Sequence, residues 1–262
     1  MVVHDLYVHE FGPADGLPIL AIHGVTGHGD RWRRWAGRIP QARVLAPDLI
    51  GHGRSSWLPP WDIDDQVDAL AAVLDRAGEG PVTVVGHSYG GCLALHLARR
   101  LPDRIGGLLL LDPAMAVDPA RMAAAAESTV WDGDYTDAEE AWHDKRATGW
   151  TDVPEEVLRE ELDTHLIDYP RGRVGWRMSI PAVVTTWGEL AKPWVLPPAG
   201  MPVTVVRASK VQPPYLRADH VDALLAGGAT VLDWDCEHMI PQEREADSAA
   251  LAAGLLPTRA PR

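Results

Sequence analysis

The chain has 262 residues, 46% of them apolar, with 24 Lys and Arg against 37 Asp and Glu for a formal charge of −13. That length can bury a sizeable core plus an inserted subdomain, and the apolar fraction excludes a disordered chain. The acidic balance excludes nucleic acid and an anionic membrane surface as main partners, because neither is attracted to such a surface.

Short apolar, β-rich runs alternate with helical stretches, the pattern of a parallel sheet wrapped by helices. An edge strand is expected at 6–11 and a buried strand at 17–23, then a glycine-rich loop and a short helix at 32–38. A strand at 42–48 leads through Leu49-Ile50-Gly51-His52-Gly53-Arg54-Ser55-Ser56 to an amphipathic helix at 63–77. The run Pro81-Val82-Thr83-Val84-Val85 opens a strand ending at 87, followed by a helix at 89–101, and 107–112 reads as a central strand too apolar to face solvent. From Pro113 the pattern changes: helices are expected at 119–127, 137–148, 154–166 and 181–190, with acidic caps, many Trp and no strand. Strands return at 201–207 and 229–234, a closing helix runs over 244–255, and 257–262 is expected to fray. The predicted architecture is a doubly wound α/β core, 1–112 and 196–262, interrupted by a helical cap over 113–195. Such an insertion lies above the carboxyl ends of the strands, where open α/β sheets place their ligands.

Met1-Val2-Val3-His4-Asp5-Leu6 carries no basic and apolar leader, and no apolar stretch approaches the ~20 residues needed to cross a bilayer, so a cytoplasmic protein without an integral membrane segment is expected. Cys92 and Cys236 sit in no C-x-x-C, and the histidines form no H-E-x-x-H, so neither a metal nor another cofactor is expected.

Gly86-His87-Ser88-Tyr89-Gly90, set between a β-branched strand and a helix, has the pattern of a nucleophile elbow. A serine hydroxyl becomes a useful nucleophile when a sharp turn exposes it beside a base and beside donors for the oxyanion. The flanking glycines matter because strand and helix approach closely there. The competing reading is a Gly-Ser turn without chemistry.

Three further blocks accompany it: His23-Gly24 after the first buried strand, Asp48-x-x-Gly51-x-Gly53-x-Ser55, and the late His238. Together they resemble the lid-bearing serine esterase and lipase branch of the α/β-hydrolase superfamily, and within it small actinobacterial lipases and esterases. The resemblance implies Ser88 as nucleophile; relatives that are haloalkane dehalogenases or epoxide hydrolases carry an aspartate there. It implies the N–H groups of Val25 and Tyr89 as the oxyanion hole and His238, between the last strand and last helix, as the base. His87 should point away from the serine hydroxyl, His23 should brace the oxyanion loop, and His52 reads as a loop residue. Thr26, His28, Trp131, Trp187 and Met239 are assigned to the substrate pocket, with His28 at its entrance.

The acid is where the chain departs from the family. The usual position near residue 210 falls in Ala208-Ser209-Lys210-Val211-Gln212, which has no carboxylate. Asp112 and Asp219 both remain candidates. Asp112 is favoured, because a strand-end carboxylate beside the nucleophile strand can reach the histidine and Leu111-Asp112-Pro113-Ala114 resembles the Leu-Asp-Pro-Ala of pancreatic lipases; its alternative role is a helix cap. The resemblance implies hydrolysis of small to medium apolar esters through an acyl-enzyme. Hydrolysis of a lactone, a thioester or a C–C bond, or a receptor that has kept the pocket, stays open, and a homodimer is compatible with the chain.

Overall fold

The computed structural model describes residues 5–257; the tail expected to fray lies, over 258–262, outside them. In chain order the elements are β1 (Val8–Phe11), β2 (Leu17–Ile22), α1 (Arg33–Ala36), β3 (Ala42–Pro47), α2 (Ile63–Arg76), β4 (Val82–His87), α3 (Tyr89–Arg100) and β5 (Ile105–Leu111). Then follow α4 (Pro119–Trp131), α5 (Ala138–Ala147), α6 (Glu155–His165), β6 (Leu166–Tyr169), β7 (Arg173–Trp176), α7 (Ile180–Leu190), β8 (Val203–Ala208), α8 (Ala218–Ala226), β9 (Thr230–Trp234), α9 (Ile240–Glu243) and α10 (Glu245–Leu255).

The main sheet has 7 strands in the order β1-β3-β2-β4-β5-β8-β9, all parallel except the β1–β3 pair. Its inner strands β2, β4 and β5 are largely apolar on both faces because both are covered. Within β5, Leu108 and Leu110 join the core that α2 and α3 cover, whereas Leu109 and Leu111 join the opposite core with Trp32, Trp35 and Ala249. The period of two along a strand thus supplies two cores from one run of leucines.

After β2 the chain moves outward to β3, then returns to the other side of β2 with β4. This reversal opens a crevice at the carboxyl ends of β2 and β4, the position at which doubly wound sheets bind ligands. Register aligns the strand ends there: Ile22 pairs with Gly86, His87 with Leu111, and Leu111 with Val206. The residues that follow each strand, Ser88 and Asp112 among them, therefore emerge side by side.

Between β5 and β8 the chain forms four helices and a hairpin, and here one expectation is corrected. Strands β6 and β7 pair antiparallel from Leu166 opposite Trp176 to Tyr169 opposite Arg173, in a stretch expected to hold no strand. Each is four residues long, too short to establish a period. The hairpin is held from outside: Tyr135 N–H donates to Val174 O at 2.8 Å, and Val174 N–H donates back at 3.0 Å. Helices α4, α5 and α7 start where the sequence places polar caps, with Asp118, Asp137 and Ser179 accepting backbone N–H groups of the first turn. Among the described residues, no helix is long and apolar enough to cross a membrane.

Candidate active site

Ser88 sits between β4 and α3 with φ 55° and ψ −118°, a strained backbone for a residue bearing a side chain. The turn is possible because its neighbours lack side chains. A Cβ on Gly86 would lie 2.3 Å from Gly90 O, and one on Gly90 would lie 2.2 Å from Ile22 O. Ser88 N–H donates to Leu111 O at 3.0 Å and Ser88 O accepts from Ala114 N–H at 3.1 Å, tying the elbow to the end of β5. The loop after β2 passes so close that a Cβ on Gly24 would lie 3.0 Å from Ser88 Cβ. This brings Val25 beside the elbow. The N–H groups of Val25 and Tyr89 find no protein acceptor among the described residues, the condition for donating to a bound oxyanion.

Asp112 and His238 meet across the strand ends, with Asp112 Oδ2 2.6 Å from His238 Nδ1. Asp112 is buried, holds φ 42°, and accepts the N–H of Ala208 on Oδ1 at 3.1 Å. The other candidate acid is elsewhere: Asp219 is exposed and bonded to Arg217 at 2.5 Å, an interaction that lowers its pKa to about 2. Ser88 Oγ forms no hydrogen bond to His238, although both side chains line one cavity. Such bonds commonly tighten only with substrate in place.

The remaining histidines near the elbow are structural in their contacts. His87 lies against the His238 ring, with 4.7 Å between centroids, and its Nε2–H donates to His238 O at 2.8 Å. Burial, then the proximity of His238, holds His87 well below the ordinary histidine range. His23 spans two loops, Nδ1–H donating to Gly24 O at 2.7 Å and Nε2 accepting Leu49 N–H at 3.0 Å, which defines a neutral tautomer. The Asp48 block has a packing explanation too. Burial opposes the charge of Asp48, yet His9 and the N–H groups of Arg54 and Gly29 hold its pKa well below the carboxylate range. A Cβ on Gly53 would strike that carboxylate.

A cavity of about 340 Å³ extends from Ser88 and His238 under α4, α5 and α7. Thr26, Trp187 and Met239 line it. His28 and Trp131, also assigned to the pocket, do not. His28 is buried beneath it, 2.8 Å from Glu161 through Nε2 and stacked on His165. Trp131 ends α4 at 82% exposure, because it projects from the solvent side of the last turn. Sequence reasoning also missed wall residues: Tyr215, whose ring lies 4.5 Å from that of His238, and Arg31, Lys145, Trp150 and Trp176. The eleven tryptophans were the available signal for the last two, but composition does not say which of them turn inward.

Residues 18–145 match the family described as alpha/beta hydrolase fold. Lipase LipV of Mycobacterium tuberculosis is 46% identical over 261 residues, covering 98% of this chain and 100% of that protein. Among solved structures, E-2-(acetamidomethylene)succinate hydrolase superposes with a TM-score of 0.79 at 19% identity, over 95% of this chain and 94% of that one. A marine microorganism esterase gives 0.76 at 16% identity, over 97% and 100%. At such identities the two structures speak to the fold alone.

Proposed function

The chain belongs to the α/β-hydrolase family and is a hydrolase, and we propose that it cleaves carboxylic esters through a Ser88–His238–Asp112 triad. The observation that carries this reading is the 2.6 Å contact of Asp112 with His238 Nδ1, at the wall of the cavity that Ser88 also lines. A carboxylate on Nδ1 leaves Nε2 free to accept a proton. In the proposed reaction Ser88 Oγ attacks the ester carbonyl while His238 takes its proton, and the N–H groups of Val25 and Tyr89 hold the oxyanion. The protonated His238, stabilised by Asp112, returns the proton to the leaving alcohol. Water then attacks the acyl-enzyme by the same route, with His238 again the base.

Residues 113–195 act in this reading as a cap whose underside shapes the substrate. Ala125 and Trp187 with Val25, Ala114 and Met239 provide an apolar surround for the part of the ester nearest Ser88. A volume of about 340 Å³ is at the small end of ligand sites, typically ~300–1,000 Å³, and favours small to medium acyl groups. The 46%-identical relative is named a lipase, which supports an ester substrate.

The experiment is covalent labelling with an alkyl fluorophosphonate followed by peptide mapping. Stoichiometric label on Ser88, with none in Ser88→Ala, is the expected result; an unlabelled Ser88 in folded protein would overturn the triad reading.

A further inference from the structure

Away from Ser88, the wall of the same cavity carries two cations. Lys145, on α5, is 6% exposed, and Arg31 enters from the loop after β2. Glu161, on α6, is their shared carboxylate, and it is already occupied. Arg31 Nη2 donates to Oε1 at 2.5 Å, its Nε reaches both oxygens at 3.1 Å, and His28 is 2.8 Å from Oε2. Burial would raise the pKa of Glu161, but Arg31, His28 and Lys145 hold it well below its ordinary value, so it is ionised. Burial lowers the pKa of His28 against the opposing charge of Glu161, whereas Arg31 is always charged. Arg31 therefore balances Glu161.

Among the described residues Lys145 is left with a single hydrogen bond, 3.3 Å to Glu161 Oε1, for an ammonium that has three donors. Its Nζ rests 4.0 Å from the centroid of the Trp176 ring and 4.6 Å from that of Trp150, which is also covered by Arg31. The other carboxylates of the wall are engaged elsewhere. Asp144 accepts from Tyr135 Oη at 2.7 Å and Asp132 from Ser128 Oγ at 3.0 Å, and neither forms an ion pair with Lys145 or Arg31 among the described residues.

A buried ammonium with donors to spare is costly, and ring faces offset only part of that cost. A wholly apolar substrate that filled the cavity would strip away whatever water reaches Lys145 and leave those donors unmet. An anion at that end would meet them. We propose that Lys145 is the anion-binding residue of the substrate site and that the preferred substrate is an ester bearing a carboxylate at the end remote from the scissile bond, joined to it by an apolar segment. This substrate class rests on the ester-hydrolase reading, whereas the anion site itself does not. Burial lowers the Lys145 pKa to about 8, which keeps the ammonium charged at neutral pH. Trp150 and Trp176 position it, and it shares the single charge of Glu161 with Arg31.

The test uses Ser88→Ala protein, which cannot form an acyl-enzyme, and calorimetric titration with monomethyl esters of dicarboxylic acids from succinate to suberate. Each is compared with its dimethyl ester, equal in shape apart from one methyl and one charge. The expected result is that at least one monoester binds about tenfold or more tightly than its diester, the effect of a charge-assisted bond in a buried site, and that Lys145→Met abolishes the preference. Should Lys145→Met fail to fold by circular dichroism, Lys145→Arg replaces it and should retain a preference for the anion. The proposal falls if no chain length shows the preference, if Lys145→Met retains it, or if Lys145→Arg abolishes it in folded protein. Failure of the triad reading is separately visible: an unlabelled Ser88 with selective monoester binding would leave the anion site standing.

Discussion

Asp112 reaches His238 Nδ1 at 2.6 Å with one carboxylate oxygen and accepts Ala208 N–H at 3.1 Å with the other. The second bond fixes the direction of the first. Where the family usually places its acid, after the strand that follows the cap, this chain offers the backbone N–H of Ala208, which holds the carboxylate that follows β5. Replacing the carboxylate by an amide, Asp112→Asn, keeps the shape but no longer enforces the tautomer with Nε2 unprotonated. On that basis kcat should fall on the order of 10⁴-fold with little change in KM. Asp219→Asn, which removes a surface pair with Arg217 and leaves an amide oxygen to accept His220 N–H, should stay within about twofold, as exposed pairs contribute little. Steady-state kinetics on a nitrophenyl ester checks both; the reverse ranking would sink the assignment of the acid.

Gly90 gives a test of the elbow that does not involve chemistry. Its absent Cβ would lie 2.2 Å from Ile22 O and 2.7 Å from His23 O, backbone atoms of a central strand that cannot step aside. Gly90→Ala should therefore destabilise the protein by about 2 kcal/mol or more, at the upper end of overpacking costs. Gly188, inside α7, has nothing within 4 Å of its would-be Cβ. Gly188→Ala should stabilise by about 0.5–1 kcal/mol, the helix-propensity difference. Urea unfolding measures both, and equal signs would contradict the packing argument.

The core was legible because its residues answer to local rules. Leu108 to Leu111 are apolar on every position, so they require a strand covered on both sides, and the glycines around Ser88 require a close approach. Helix starts at Asp118 and Asp137 follow from capping, which also acts within a few residues. What was not legible depends on distant partners. The β6–β7 hairpin exists because Tyr135 pairs with Val174, and the turn between its strands places Arg171 at φ 66° and Gly172 at φ 72°. His28 was sent to the pocket by its position in the loop after β2, but Glu161, 133 residues later, draws it under the wall instead. Lys145 carries no local signal for the same reason: it is the packing of α5 against α6 and β7 that buries it.

Two tryptophans assigned the same role from sequence should behave differently. Trp187 lines the cavity and its Nε1–H donates to Thr129 Oγ1 at 2.9 Å, clamping α7 to α4 across the apolar wall. Trp187→Ala removes a large part of that wall, so kcat/KM for longer acyl chains should rise by about tenfold relative to acetate, a gain within what a few methylenes in an apolar pocket contribute. Trp131, at 82% exposure, should leave the profile unchanged to within about twofold when replaced by Ala. A nitrophenyl ester series from acetate to decanoate separates the two, and a shifted profile in Trp131→Ala would return that residue to the substrate path.

His52 makes stability depend on pH. It is buried, donates through Nδ1–H to Ile50 O at 3.1 Å, and has no hydrogen-bond partner at Nε2 among the described residues to receive a second proton. Burial lowers its pKa from 6.5 to about 4. A base depressed in this way is neutral in the folded chain while the unfolded chain takes up a proton. Its stabilisation is thus fully present above the unfolded value and is lost as pH falls from 6.5 towards about 4. Between about pH 7.5 and about pH 5 the loss from this one group is about 2 kcal/mol. His23 and His87, lowered by burial in the same direction, steepen the decline. Urea unfolding at the two pH values should therefore show lower stability in acid, and His52→Leu should shrink the difference by about 2 kcal/mol even though losing the bond to Ile50 lowers stability at both. An unchanged difference in the variant would mean that His52 takes up its proton equally in the folded and unfolded chain.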